Sequence, residues 1–215
     1  MTTLLLRGPI CWAQRLALAA AMLTLTACSA LRPPTPLPTA LYSLDRQPSQ
    51  SVPPTRGIAT QPLPTLIVNP PQAASGFDSQ RIVYVREDHK LEYFAHSEWV
   101  DPPARMLGPL LVAAIDKVGV FGSVLLTPAS VSGALRLDTQ IIRLQQNFQT
   151  SPSRVQFTLR AYLTDEKTRG VLAWREFNAE ATSSSDNPQG GVNAANVAVQ
   201  DVLAQLAQFL ATRAR

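Results

Sequence analysis

Arg154-Val155-Gln156-Phe157-Thr158-Leu159-Arg160-Ala161-Tyr162-Leu163-Thr164 alternates apolar and polar side chains without a break. A period of two puts Val155, Phe157, Leu159, Ala161 and Leu163 on one face of a strand, and Gln156, Thr158, Arg160 and Tyr162 on the other. Asp165 to Gly170 is a polar turn leading into a partner strand, Val171 to Ala181. Upstream, Ala134 to Phe148 reads as a third strand with Leu135, Leu137, Thr139 and Ile141 on one face. Its phase slips at Ile142–Leu144, the mark of a bulge. Downstream, Ser183 to Gly191 reads as a polar loop. A helix follows from about Val192 to Thr212, with the stripe Ala195, Val199, Val202, Leu206 and Phe209.

The middle of the chain adds smaller pieces. Leu41-Tyr42-Ser43-Leu44 reads as a first strand and Leu66-Ile67-Val68 as a buried one stopped by Pro70-Pro71. Arg81 to Arg86, the polar turn Glu87 to Lys90 and Leu91-Glu92-Tyr93-Phe94 form a hairpin. Asp101-Pro102-Pro103 opens a helix as an acidic cap followed by prolines in the first turn. Its apolar stripe is Leu107, Leu110, Leu111, Ala114, Ile115 and Val118, and Gly119 ends it. Val124-Leu125-Leu126 then reads as a strand completing a β-α-β crossover. The expected architecture is one α+β domain over 41–212: a mixed, mostly antiparallel sheet with two long helices packed on one face.

Composition sets the limits. The chain has 215 residues, 46% hydrophobic, which is enough for one domain with a buried core. Eleven of its 18 prolines lie between Pro33 and Pro71, so that stretch is spacer and loop, with a mobile Pro-rich insert at 47–64. The net charge is +4, and it falls to +2 without Arg7 and Arg15 of the N-terminal segment. So nearly neutral a surface gathers few phosphates, and no nucleic-acid partner is expected. Beyond residue 27 the longest apolar run is Leu110 to Ile115, far short of the ~20 residues of a spanning helix.

Residues 1–27 have the layout of a secretory signal: Arg7 and Arg15, an apolar run from Leu16 to Leu25 broken by Thr24, then small residues. The junction Leu25-Thr26-Ala27-Cys28 resembles the bacterial lipobox. That resemblance implies cleavage before Cys28, a diacylglyceryl group on its sulfur and an acyl chain on its new amino group. The alternative is an ordinary secreted protein with an unmodified Cys28. Each buried acyl CH₂ contributes about 0.8 kcal/mol, so several chains hold a domain durably. Residues 28–40 are the lipidated cysteine and a Pro-rich spacer, which in polyproline II holds the domain roughly 30–35 Å from the lipid at ~3.1 Å per residue. Ser29, rather than aspartate, leans the lipoprotein toward the periplasmic face of the outer membrane over inner-membrane retention. Cys11 leaves with the signal, so the mature domain has no disulfide and no CxxC site.

In order and spacing these pieces resemble the ABC-type transport auxiliary lipoprotein family, which includes the paraquat-inducible protein C lipoproteins. The matching residues are Leu41-Tyr42-Ser43-Leu44 after the lipobox, Arg81-Ile82-Val83-Tyr84, and Leu91-Glu92-Tyr93-Phe94. With them come Trp99 before a Pro-capped helix, Gly119-Val120-Phe121, Val155 to Leu163 with Asp165, Val171 to Phe177, and the closing Ala-rich helix. The similarity covers about 41–210. It implies a periplasmic accessory subunit of a system that moves lipids or other hydrophobic molecules between the two membranes. Its partners would be a mammalian-cell-entry (MCE) domain protein, an ABC permease and an ATPase. A different envelope assembly lipoprotein, pilotin-like or like a lipopolysaccharide-transport plug, shares the anchor and stays as the alternative.

Chemistry is sparse, and no enzyme activity, cofactor or metal is expected. No Walker A loop occurs, and Gly122-Ser123-Val124 lacks the pattern of a nucleophile elbow. His89 and His96 are seven apart, on opposite faces of a strand, which does not suit one metal. Glu87-Asp88 and Asp165-Glu166 sit in predicted turns, where solvation explains them. Trp99 admits two roles, an interface anchor or a cover over the helix start within the core. Tyr162 and Trp174 fall outward on neighbouring strands, and with Trp99 they are the candidate partner surface. A homo-oligomer is compatible with the chain, which carries no symmetry signal of its own.

Overall fold

In the computed structural model, residues 38–45, 63–128 and 130–213 are described. The signal peptide at 1–27, Cys28 with all but the end of its spacer, and nearly all of the insert at 47–64 lie outside them. In chain order the elements are β1 (Ala40–Tyr42), β2 (Thr65–Val68), β3 (Gln72–Ala73), β4 (Arg81–Val85), β5 (Glu92–Trp99) and α1 (Pro103–Asp116). Then come β6 (Ser123–Leu126), β7 (Leu135–Asn147), β8 (Arg154–Asp165), β9 (Val171–Thr182) and α2 (Pro188–Arg213).

The strands make one mixed sheet with β7 as its spine. One edge of β7 runs antiparallel to β8 along its whole length, and β8 in turn runs antiparallel to β9. The other edge meets β2, β3 and β4 in succession, all parallel. β4 carries β5 and then β1; β2 carries β6. Only a 13-residue strand is long enough to hold three short partners end to end. The register of β7 on β8 slips between Ile141 and Arg143, where the expected bulge falls.

Alternation decides which face is buried. Leu137, Ile141 and Leu144 of β7 and Val155, Phe157, Leu159, Ala161 and Leu163 of β8 are all core residues, with Phe177 and Ala179 of β9. They belong to the same core cluster as the stripe of α2 (Ala195, Val199, Val202, Leu206) and that of α1 (Leu107, Leu110, Leu111, Ile115). Burying each large side chain there is worth roughly 1.5–3 kcal/mol, so the inward face holds the fold together. Among the described residues no helix is long and apolar enough to cross a membrane.

Three local expectations are corrected. Asp101 does not cap α1; Pro102 takes the cap position with no side-chain bond. A residue preceding proline is pushed out of the helical region, so Pro102, which precedes Pro103, cannot join the helix. Asp101 is left one position early and pairs with Arg105 at 3.1 Å. Second, β5-α1-β6 is not a crossover between parallel neighbours. β6 lies on β2, at the far side of the sheet, and the chain of pairings makes it antiparallel to β5. Gly119, by contrast, is at φ +71 and ends α1 as expected, its N–H donating to the Asp116 carbonyl at 3.1 Å.

Third, α2 starts at Pro188, so Gly190 and Gly191 lie in its first turn rather than in a loop. The Asn187 Oδ1 accepts the Gly190 N–H at 2.9 Å, the geometry of an N-cap followed by proline at the first helical position. Gly191 is there because the helix start presses on β7. A Cβ at that position would overlap the Gln146 carboxamide. Gln146 is itself buried and donates through Nε2 to the Ser153 hydroxyl at 2.8 Å. Asp186 completes the clasp by accepting the Ser153 N–H at 2.8 Å.

Candidate functional site

The outward face of the β8–β9 ladder is built by closely spaced cross-strand pairs. The Ser183 N–H donates to the Ser153 carbonyl, which makes the odd-numbered pairs of these strands the hydrogen-bonded ones. The even-numbered pairs are therefore the narrow, non-hydrogen-bonded type, whose side chains approach most closely. Three polar pairs in this row are bonded across the ladder. Arg160 bonds Glu176 at 3.0 Å, Thr158 donates to Asn178 at 2.7 Å and Gln156 donates to Glu180 at 2.8 Å. Arg154 stands 3.8 Å from Glu180.

The row ends in aromatics. Tyr162 lies directly across from Trp174, with ring centroids 6.2 Å apart and planes 27° from parallel. Trp174 is 62% exposed, and Val171 and Leu172 beside it are exposed as well. A face whose charges are all paired thus carries one unpaired apolar tip. A shallow groove bordered by Asn69, Pro70, Pro71, Gln72, Asp138 and Gln140 opens next to Tyr162.

Sequence reasoning missed a second aromatic cluster. Where β4, β5 and the end of β7 meet, Tyr84 packs on Phe94 at 4.5 Å, and Phe148 stands edge-on to both at 5.7 and 6.3 Å. The Arg86 guanidinium lies 5.0 Å over the Tyr84 ring and bonds Glu92 at 2.7 Å. The Tyr84 hydroxyl also donates to Glu92, at 3.1 Å. The Arg86 hydrogen bond holds the Glu92 carboxyl below the usual carboxylate range, against the opposing effect of its partial desolvation. Only strand register, which sets Tyr84 opposite Glu92, brings these residues together.

The other candidate residues separate. Trp99 is 3% exposed and part of the core, so it is not available to a partner. That corrects its place in the candidate surface and leaves Tyr162 and Trp174. His89 is an exposed turn residue at φ 64, and His96 is exposed on β5. Asp165 holds its own turn by accepting the Thr168 N–H at 2.7 Å. Glu166 pairs with Arg136 of β7 and with Arg169. Among the described residues no group of three or more His, Cys, Asp or Glu is arranged to hold a metal. Cys28 lies outside the described residues.

Comparison with known proteins supplies the family. No curated protein sequence matches the chain. The crystal structure of protein XCC0632 from Xanthomonas campestris is 22% identical, with a TM-score of 0.70 over 81% of this chain and 96% of that one. The crystal structure of an uncharacterized protein is 14% identical, with a TM-score of 0.60 over 82% of this chain and 98% of that one. Both share the fold. The family model described as the ABC-type transport auxiliary lipoprotein component matches residues 42–207, from the end of β1 into the last turns of α2. The chain belongs to the ABC-type transport auxiliary lipoprotein family.

Proposed function

We propose that this chain is a periplasmic accessory lipoprotein of an ABC/MCE-type transport system that moves lipids or other hydrophobic molecules between the inner and outer membranes. It is held at the outer membrane by diacylglycerol and an N-acyl chain on Cys28, and it acts by protein–protein docking without catalysis or cofactor. Its partners are an MCE-domain protein with the permease and ATPase of the same system. One observation carries the docking role: Trp174, 62% exposed, tops a face whose charged side chains are already paired with one another. Trp and Tyr are enriched among the residues that anchor protein interfaces. The resemblance over 41–210 supports the choice of an MCE system.

Purification from detergent-solubilised membranes tests this. The wild-type chain is expected to bring down an MCE-domain protein, and Trp174→Ala to bring down much less. Recovery of a secretin or an outer-membrane barrel protein instead would move the chain to the pilotin-like or plug-like class.

A further inference from the structure

α1 and α2 are neighbours, and an open groove of about 350 Å³ runs between them. Ala113 and Ala114 of α1 and Ala204 and Ala207 of α2 keep its walls small, and the buried Leu110 and Leu203 also line it. At one end Val118 is exposed; beyond the other, Val197 is exposed one turn before Gln200. The described chain stops and resumes at these two ends. Gln200, itself in the groove lining, donates to the Asp45 carbonyl at 3.4 Å, and residues 46–62 begin there. The chain resumes at Leu63 beside Gly122, four residues past Val118. A Cβ at Gly122 would stand 2.7 Å from the Leu63 carbonyl oxygen, and the Gly122 N–H donates to the Pro64 carbonyl at 3.0 Å. Seventeen extended residues reach roughly 55–60 Å. The helix face from Gln200 to Gln208 rises only ~12 Å, so residues 46–62 are long enough to follow the groove from end to end.

We infer that the α1–α2 groove is the docking site of the chain's own segment 46–62, with Val52 toward the Gln200 end and Ile58 toward Val118. These are the segment's two large aliphatic side chains, and the alanine walls leave room for them. Pro53-Pro54 falls between them. A proline run makes no backbone hydrogen bonds of its own, and the exposed Gln208 on the rim would donate to one of its carbonyls. Arg56 would reach past the rim into solvent, as the exposed Lys117 does. Tethering decides the occupant. A segment fixed at both ends meets the groove at an effective concentration of about millimolar, an advantage that a free peptide, a lipid or a second copy lacks. The helical face is then taken, and the outward sheet face is left to partners. The inference does not rest on the docking role proposed above.

Trypsin reads the seating directly, because the Arg56-Gly57 bond lies between Val52 and Ile58. The substrate is the purified full chain in detergent micelles. Cleavage after Arg56 tracks the fraction of time the segment is out of the groove. It should be roughly tenfold faster in Val52→Ser/Ile58→Ser than in the wild-type chain. Ala204→Trp, which fills the groove and leaves the segment's sequence alone, should speed it as much. Both variants should melt within a few degrees of wild type. Disulfide trapping is the second measurement. Ile58→Cys should oxidise onto Ala204→Cys within one chain, and not onto Trp174→Cys on the other side of the sheet. If Ala204→Trp melts early, trapping decides. Equal cleavage rates in all three chains, no 58–204 disulfide, or equal trapping at 204 and 174 would overturn the inference. So would a 58–204 disulfide found only between two chains, which would give the groove to a second copy.

Discussion

Gly191 and Asp186 show how few atoms fix the start of α2. A methyl group at Gly191 overlaps the buried Gln146 carboxamide, whose Oε1 has no hydrogen-bond partner among the described residues and whose Nε2 is committed to Ser153. Overpacking at such a site costs about 1–3 kcal/mol, so Gly191→Ala should lower the urea midpoint accordingly, with an unchanged slope. Asp186 works through its charge. Hydrogen bonding from Ser153, its side chain first and then its N–H, holds the Asp186 carboxyl below the usual carboxylate range. Thr168 does the same for Asp165. A carboxyl depressed on folding stabilises the protein fully above its unfolded value, about 3.9. That contribution fades as pH falls through the lower folded value. Stability measured by urea unfolding should therefore decline as the solution is acidified below about pH 4, and Asp186→Asn should flatten the decline. An equal acid slope in the variant would show that Asp186 is not responsible.

The strands and helices differ in how openly their sequences announce them. β7, β8 and β9 were legible because each buries one face, so a period of two survives along Val155, Phe157, Leu159, Ala161 and Leu163, and even the bulge near Ile142 left its phase shift. The Tyr162–Trp174 pair followed from the same alternation. The start of α2 was also written locally, in Asn187-Pro188, but the two glycines that follow imitate a loop. Gly190 lies against Ser185 just before it, but the reason for Gly191 is a contact with Gln146, 45 residues earlier in the chain. The two hairpins gave their strand directions through their turns, but nothing within β5 or β6 records that those two end up antiparallel at distant places in the sheet. The two faces of β9 give contrasting predictions. Phe177 is 1% exposed and packs edge-on against Phe209 of α2 at 5.6 Å. Phe177→Ala should cost about 3–5 kcal/mol. Trp174→Ala gives up a solvent-facing stack worth roughly 0.5–1.5 kcal/mol. Denaturant titration of both variants separates a core residue from a surface kept exposed at small cost to stability. A Trp174 variant as damaged as the Phe177 one would mean that the aromatic tip is structural.

At the scale of the whole molecule, the proposed tether and the domain divide the work. The domain has its own core between the sheet and two helices, so it needs no lipid to fold. What an acylated Cys28 would add is confinement: a docking domain fixed to one membrane meets a partner on that membrane at a far higher effective concentration than a free one, with no new contact made. Loss of the anchor should then weaken function without weakening the interface. Cys28→Ser is expected to leave an uncleaved or soluble chain. The same chain should unfold at the wild-type midpoint and, in solution, bind the purified partner with wild-type affinity. In cells it should fail to support transport, since its local concentration falls by the loss of confinement. Membrane flotation with intact-protein mass spectrometry, urea unfolding, solution binding and complementation of transport measure the four parts separately. Mature wild-type protein whose Cys28 carries no added mass would remove the anchor. Weakened solution binding by Cys28→Ser would show instead that the lipidated end itself forms part of the docking surface.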